Sequence, residues 1–225
     1  MGEAATLGFI MKLLSTAALG AAFVVSSAIS ASALTIVAAS ATCDASSPIP
    51  ASFATFTTQC ATDPSRNDVG AVNIGAADGN FFSLGINQTP GGFGGAAIFE
   101  ISPAFTGPAM VVEVTNPSNH KEAAEVFVAN DLVELQTKYF AGDFAGIVDN
   151  GEGGATTANT TITITGVYKY IMFADLSHVY YGVAGNGTQD GFDLDAFTVT
   201  PVPLPAGVLL LGTALAGLGL SRRRA

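Results

Sequence analysis

Between residues 34 and 200, apolar and polar residues alternate in short runs that Gly, Asn, Asp and Pro interrupt. These runs predict strands over 53–58, 71–74, 81–86, 97–101, 110–115, 125–129, 133–138, 146–149, 160–165, 170–175 and 192–200. The period is clearest at Thr160–Thr165, where Ile162 and Ile164 take one face and threonines the other. Val126 and Val128 share a face, opposite Glu125 and Phe127. No stretch of the body has a convincing helical period; only Lys121–Ala124 is compatible with a single helical turn. The glycine-rich stretches 88–95 and 149–159 read as loops, and the Ala/Ser-rich stretch 34–50 as loosely held chain. Short strands separated by turn signals predict an all-β fold, a two-sheet antiparallel sandwich.

The two ends depart from this pattern. Lys12 precedes an apolar run from Leu13 to Val25, followed by Ser30-Ala31-Ser32-Ala33, the layout of a signal helix with a cleavage site after Ala33. Met11 offers an alternative start, and an uncleaved N-terminal anchor is the alternative to a signal peptide. At the other end, Val202-Pro203-Leu204-Pro205-Ala206 leads into an uncharged run, Gly207–Leu220, that closes on Arg222-Arg223-Arg224. As a helix, residues 206–220 span about 22 Å, short against a hydrocarbon core of about 30 Å. The arginines stay on the cytoplasmic side by the positive-inside rule, which puts the body across the membrane. The order of these parts resembles the PEP-CTERM class of sorting signals in its VPLPA-CTERM form. That resemblance implies a short C-terminal hydrophobic helix with transient membrane association and cutting by an exosortase-type protease near the proline motif. It also implies delivery, after passage through the periplasm, to a cell surface or an exopolysaccharide matrix. An ordinary C-terminal anchor is the alternative. The chain thus divides into a signal peptide (1–33), an N-terminal segment (34–69), a sandwich domain (70–200) and a sorting signal (201–225).

Charge narrows the partners. From residue 34 to 202 there are seventeen Asp and Glu against four cations, Arg66, Lys121, Lys138 and Lys169, a net charge of −13. Such a body repels nucleic acid and anionic lipid. The positive mean hydropathy of +0.46 comes partly from the two ends. Cys43 and Cys60 in an exported chain read as a disulfide closing a small loop; a catalytic or metal-binding thiol is the alternative, with no histidine nearby in sequence.

Five segments carry a further resemblance: Asp78–Gly85, Ala97–Ile101, Glu122–Asp131, Tyr170–Asp175 and Asp190–Ala196. Their order is similar to that of jelly-roll, galactose-binding-like domains found in PEP-CTERM surface proteins. The similarity departs at Asp131-Leu132, where related domains more often carry a glycine turn and an aromatic residue.

In the last of these segments Phe192 and Leu194 share one face of an extended chain, and Asp193 and Asp195 the other, whereas Phe197 and Val199 fall in register with Asp195. Either a β-bulge intervenes near Ala196 or Asp195 points inward and needs a partner. Asp190, Asp193 and Asp195 offer hard oxygen ligands at short spacing, which suits Ca²⁺ as a structural ion, with Glu100 and Asp175 as further ligands. An acidic loop with one hydrogen-bonded buried Asp is the alternative.

Catalytic signatures do not emerge. The two histidines, His120 and His178, sit in no Gly-x-Ser-x-Gly or His-Glu-x-x-His context, and only a pair of carboxylates of the glycoside-hydrolase kind stays open. The sequence therefore predicts a non-enzymatic surface or matrix protein, with a glycan-binding module as the alternative. The chain has no Trp, so Phe93, Tyr139, Tyr168, Tyr180 and Tyr181 are the aromatic sugar platforms on offer.

Overall fold

The computed structural model describes residues 33–53, 58–87, 93–113, 122–149, 158–181 and 191–203. The signal-peptide residues, Leu204–Ala206, the apolar run after them and Arg222–Arg224 lie outside the described residues. Among the described residues, no helix is long and apolar enough to cross a membrane.

The architecture rests on two long strands. β6 (Ala96–Glu113) and β9 (Ala158–Asp175) pair antiparallel along their whole length, from Ala96 opposite Ala174 to Glu113 opposite Ala158. The register breaks between Glu100 and Phe105 and again before Gly107, and the ribbon bends there. One half of it pairs with β1 (Thr35–Ala41) and β7 (Ala123–Ala129), and the other half with β10 (Asp193–Pro201). β8 (Gly146–Asp149) extends β7, while β3 (Asn73–Ile74) and β4 (Phe82–Ser83) flank β10. The resulting eight-stranded sheet runs β3-β10-β6-β9-β7-β8, with β1 beside β6 and β4 beside β10. β2 (Thr58–Gln59) and β5 (Ile86–Asn87) form a separate small sheet.

Folding the ribbon over puts its two halves face to face as a β-sandwich. Phe99 and Phe173, on one half, lie 5.2 and 5.4 Å from the ring of Phe197, which pairs with Val111 on the other. Val126, Val128, Ile162 and Ile164 join this core, so the period-2 faces read from 126–128 and 160–165 point as expected. A second core covers the outer side of the β7 half. There Phe127, Met172 and Ile98 pack against Phe53, Leu135 and Tyr139.

Four expectations need correction. The β3–β10 pair is parallel, so the sheet is mixed. Residues 34–50 are not loose: β1 pairs with β6 and Ala41 is fully buried. Of the stretch compatible with a helical turn, Lys121 lies outside the described residues, and Ala123 and Ala124 open β7 as extended chain. The predicted strand at 133–138 belongs to a helix, α1 (Leu132–Ala141). Asp131 caps that helix by accepting from the N–H groups of Val133 and Glu134, and Glu134 reaches back to the N–H of Asn130. Gly142, at φ 67°, closes it in a left-handed conformation. A second, short helix, α2, spans Ser177–Tyr181.

The Cys43–Cys60 disulfide forms, with 5.5 Å between Cα atoms and a sequence separation of 17. It ties the end of β1 to the stretch after β2. Replacing both cysteines with alanine is expected to cost about 3 kcal/mol by the loop-closure relation, seen as a lower urea midpoint with a steeper slope, because the unfolded chain is less compact without the crosslink. Asp131→Ala, which removes only the helix cap, is expected to cost about 1 kcal/mol in the same assay.

Candidate functional site

The sequence motif at β10 turns out to organise an open cleft. β10 pairs Leu194 with Glu113 but Ala196 with Val112, so Asp195 is the extra residue of a β-bulge. The bulge lets Phe192 and Leu194, and then Phe197 and Val199, all join the inner core. Asp193 and Asp195 are left to the segment 63–83, which packs over β10, and both are buried.

Each of the two carboxylates holds one wall of the cleft. Asp193 Oδ2 accepts from Arg66 Nη2 at 2.5 Å, and its Oδ1 accepts from Ser83 Oγ at 2.5 Å. Asp195 accepts from the backbone N–H of Asp78 at 3.1 Å and of Gly79 at 2.9 Å. Two of the three acids expected to share a calcium ion, Asp193 and Asp195, are thus turned to different protein partners. Asp190 lies outside the described residues. Glu100 sits on β6 beside Tyr170, away from this motif. Among the described residues, no three His, Cys, Asp or Glu side chains converge as metal ligands.

Between these walls lies a cleft of about 730 Å³ lined by Asp63, Arg66, Asp68, Asp78, Asn80 and Phe81. Its polar turns are braced by their own side chains. Asp63 Oδ1 accepts from the N–H and hydroxyl of Ser65, Asp68 Oδ1 from Gly70 N, and Asp78 Oδ1 from Asn80 N. The backbone and side-chain bonds of Ser65 hold the Asp63 carboxyl below the usual range, and those from Asn80 and Asn73 do the same for Asp78. Both stay ionised in mildly acidic solution. Arg66 lies over the ring of Phe81, 4.7 Å from its centroid. The cleft therefore presents one aromatic ring, one clamped guanidinium, amides and three carboxylates.

Beside the cleft, where strands end, the sandwich encloses an unusual group of acids. Glu113 ends β6, Glu122 precedes β7, Asp175 ends β9 and Asp193 begins β10; all four are buried. Burial, then the charges of Asp193 and Glu113, a hydrogen bond with Glu113 and the Asp175 charge, pushes the Glu122 carboxyl well above the usual range. Burial pushes Asp175 up to about 7, against the downward pull of hydrogen bonds from Ser177 and Phe192 N. Gly191, at φ 71°, closes over this carboxyl; a Cβ there would sit 3.0 Å from Asp175 Cγ and 2.8 Å from the carbonyl oxygen of Gly85.

The expected aromatic platforms scatter. Tyr139 and Phe93 belong to the outer core, packed at 5.2 Å on each other and against Phe127. Tyr180 and Tyr181 stack edge-on at α2, where the Tyr181 hydroxyl donates to Asp149. His178 Nδ1 meets the carbonyl of Asn87. Tyr168 lines a separate groove, described below. Phe81, which does line the main cleft, sat inside a predicted strand and carried no signal as a surface ring.

No family model and no curated protein matches the chain. Solved structures that resemble it include a truncated AlyQ with CBM32 and alginate lyase domains, at 12% identity and a TM-score of 0.39 over 76% of this chain and 34% of that one. The chain thus spans about a third of that protein's length. A pectin-binding carbohydrate-binding module matches at 17% identity and a TM-score of 0.37, over 77% of this chain and 96% of the module. The family 32 carbohydrate-binding module of Streptococcus pneumoniae EndoD matches at 10% and 0.35, over 75% and 96%. Likeness at this level carries no functional conclusion, which falls to the cleft's own residues.

The buried acids set a pH dependence. Asp175 and Glu122 have folded pKa values above their unfolded ones, so the stability they contribute is full below about pH 4 and is lost as pH rises; for Asp175 the loss runs through about 7. Thermal midpoints are expected to fall between pH 4.5 and pH 8, and Asp175→Asn is expected to flatten that slope. An equally steep slope in the variant would remove Asp175 as its source.

Proposed function

We propose that this chain is an exported, non-catalytic glycan-binding domain whose ligand lies in the Arg66–Phe81 cleft. The single observation that carries the reading is the composition of that cleft on an anchored backbone. A sugar ring offers apolar C–H faces and a rim of hydroxyls that both donate and accept. The cleft offers an aromatic face, amide and guanidinium donors and carboxylate acceptors. Its walls are held by part-buried bonds to Asp193 and Asp195, so little ordering entropy is lost when a ligand enters.

The charge of the cleft selects within the class. Three carboxylates face one guanidinium that Asp193 already neutralises. Uronate-rich polymers are repelled, and neutral or amino sugars are accepted.

Export belongs to the same proposal. A disulfide in a small domain suits an oxidising compartment. The N-terminal leader, cut by signal peptidase, and the Val202–Ala206 motif with its basic end, cut by an exosortase-type protease, would deliver the domain to the cell surface. A purely structural role in an exopolysaccharide matrix is the second reading, favoured by that C-terminal motif.

Binding to immobilised neutral, amino-sugar and uronic-acid polysaccharides, with calcium and with a chelator, tests the proposal. Saturable binding to a neutral or amino polymer is expected. Phe81→Ala and Asp78→Asn should each weaken it about tenfold, or about 1.4 kcal/mol, with little change in the thermal midpoint. If the wild-type protein retains none of these polymers, the glycan reading fails and the matrix reading stands.

A further inference from the structure

A second groove lies on a different part of the fold. It is smaller, about 220 Å³, and is lined by Lys138, Asp143, Phe144, Thr163, Thr165 and Tyr168. Three elements build it: the end of α1, the turn that follows and the outward threonine face of β9. The helix cap fixes the turn, because Asp143 N donates to the carbonyl of Lys138 and Ala145 N to that of Val126. Phe144 then stands edge-on against Phe127 at 6.5 Å yet keeps 42% of its surface exposed.

The groove's polar groups are equally fixed. Lys138 Nζ donates to the carbonyl of Val128 at 2.9 Å, meets Glu134 Oε1 at 3.2 Å and lies 4.9 Å from the centre of the Tyr168 ring. Its charge is therefore used within the protein and is not aimed at an anion. Tyr168 in turn donates to the carbonyl of Thr165 at 2.9 Å. Asp143 and the hydroxyls of Thr163 and Thr165 stay exposed. An uncovered aromatic ring beside hydroxyls and one carboxylate suits an uncharged polyol with an apolar face, and the space suits about one ring.

We infer that this groove is a second glycan subsite, for a neutral sugar, and that the domain bridges two polysaccharide strands. The inference rests on the glycan reading of the Arg66–Phe81 cleft. In the strand order β3-β10-β6-β9-β7-β8, that cleft stands at the β3–β10 end. The second groove lies over β9 and β7, with β6 between. At about 4.8 Å per strand, β10 and β9 alone are about 10 Å apart, beyond the reach of one sugar ring. Two weak sites on one rigid body hold a long polymer far more firmly than either alone, and join separate strands. A matrix role and a sugar-binding role then become one property.

Isothermal titration with trisaccharides of glucose, galactose and N-acetylglucosamine, and light scattering with their soluble parent polymers, test this on the folded, disulfide-bonded protein. Two trisaccharides per chain are expected, falling to one in Phe144→Ala and with a weakened second site in Asp143→Asn. Asp143→Asn alters an exposed side chain and should keep the wild-type thermal midpoint, whereas Phe144→Ala, which also loses its contact with Phe127, should lower it slightly and still bind at the main cleft. The wild-type protein should raise polymer scattering with a maximum at intermediate protein concentration, and both Phe144→Ala and Phe81→Ala should abolish the rise. One trisaccharide per chain, unchanged by Phe144→Ala, or binding without added scattering, would overturn the bridging inference and leave the main cleft intact. Failure of every trisaccharide to bind would overturn the second subsite, and the main cleft with it if no polysaccharide is retained either.

Discussion

The pairing of β6 with β9 sets the geometry on which the remaining structure depends. Each strand is 18 residues long, and a flat ribbon of that length would leave its apolar face in water. The register breaks around Phe105 let the ribbon bend, so Phe99 and Phe173 can meet Phe197 across the interior. Burying such rings is worth a few kcal/mol each, which favours the folded-over form. Everything else attaches to one half or the other. β1, β7 and β8 complete one layer, β10 with β3 and β4 the other, and the ends of β6, β7, β9 and β10 come together at one end of the sandwich. Glu113 and Asp175 sit at opposite ends of the β6–β9 ribbon, yet both reach the same buried acidic group.

That group shows how the charge imbalance of the sequence is handled inside. Arg66 is the only Lys or Arg between residues 34 and 120, and it is spent on Asp193. Hydroxyl and backbone donors must serve the other buried acids: Ser177 and Phe192 N for Asp175, and backbone N–H groups for Asp195. At Glu122, burial and the neighbouring charges of Asp193 and Glu113 make holding a proton the energetically cheaper course. The acidity of this chain is thus partly an interior property and not only a solvated surface.

Period-2 alternation made much of the sheet legible, but in fragments. The stretches 97–101 and 110–115 read as two strands because Pro103, Gly107 and Pro108 interrupt the run, and Gly166 divides 160–165 from 170–175 in the same way. Those interruptions mark a bend, not an end, and only pairing across 60 residues distinguishes the two. The helix at 132–141 was hidden by a coincidence: Val133, Leu135 and Tyr139 fit an alternating pattern, yet Val133 is 73% exposed while Leu135 and Tyr139, four apart, are buried. Asp131, Glu134 and Gly142 were the stop and start signals that favoured a helix. β1 escaped notice because its small residues resemble a linker, though they suit close pairing on β6. At the site, Asp195 was legible as an acid that either points inward and needs a partner or sits at a bulge, whereas Asp193 was legible only as a candidate calcium ligand. Their partners were not legible, since Arg66 and the amides of Asp78 and Gly79 lie 116 to 127 residues away in sequence.

The bulge at Asp195 links core to cleft. Without it, continued alternation after Leu194 would turn Phe197 and Val199 outward, or else bring Asp195 inward among rings. The extra residue keeps both apolar pairs, Phe192 with Leu194 and Phe197 with Val199, inside and leaves Asp193 and Asp195 to bind the covering segment. Asp193 then fixes Arg66, Arg66 covers Phe81, and Asp195 fixes the turn at Asp78 and Gly79 that leads into Phe81. The aromatic ring of the cleft is therefore positioned from two directions by one strand of the core. A ligand that stacks on that ring meets a surface already ordered by folding, so its affinity depends on contacts made and not on the cost of assembling the site. Because the anchoring carboxylates are buried and paired, the acids left to line the cleft are Asp63, Asp68 and Asp78, beside Arg66.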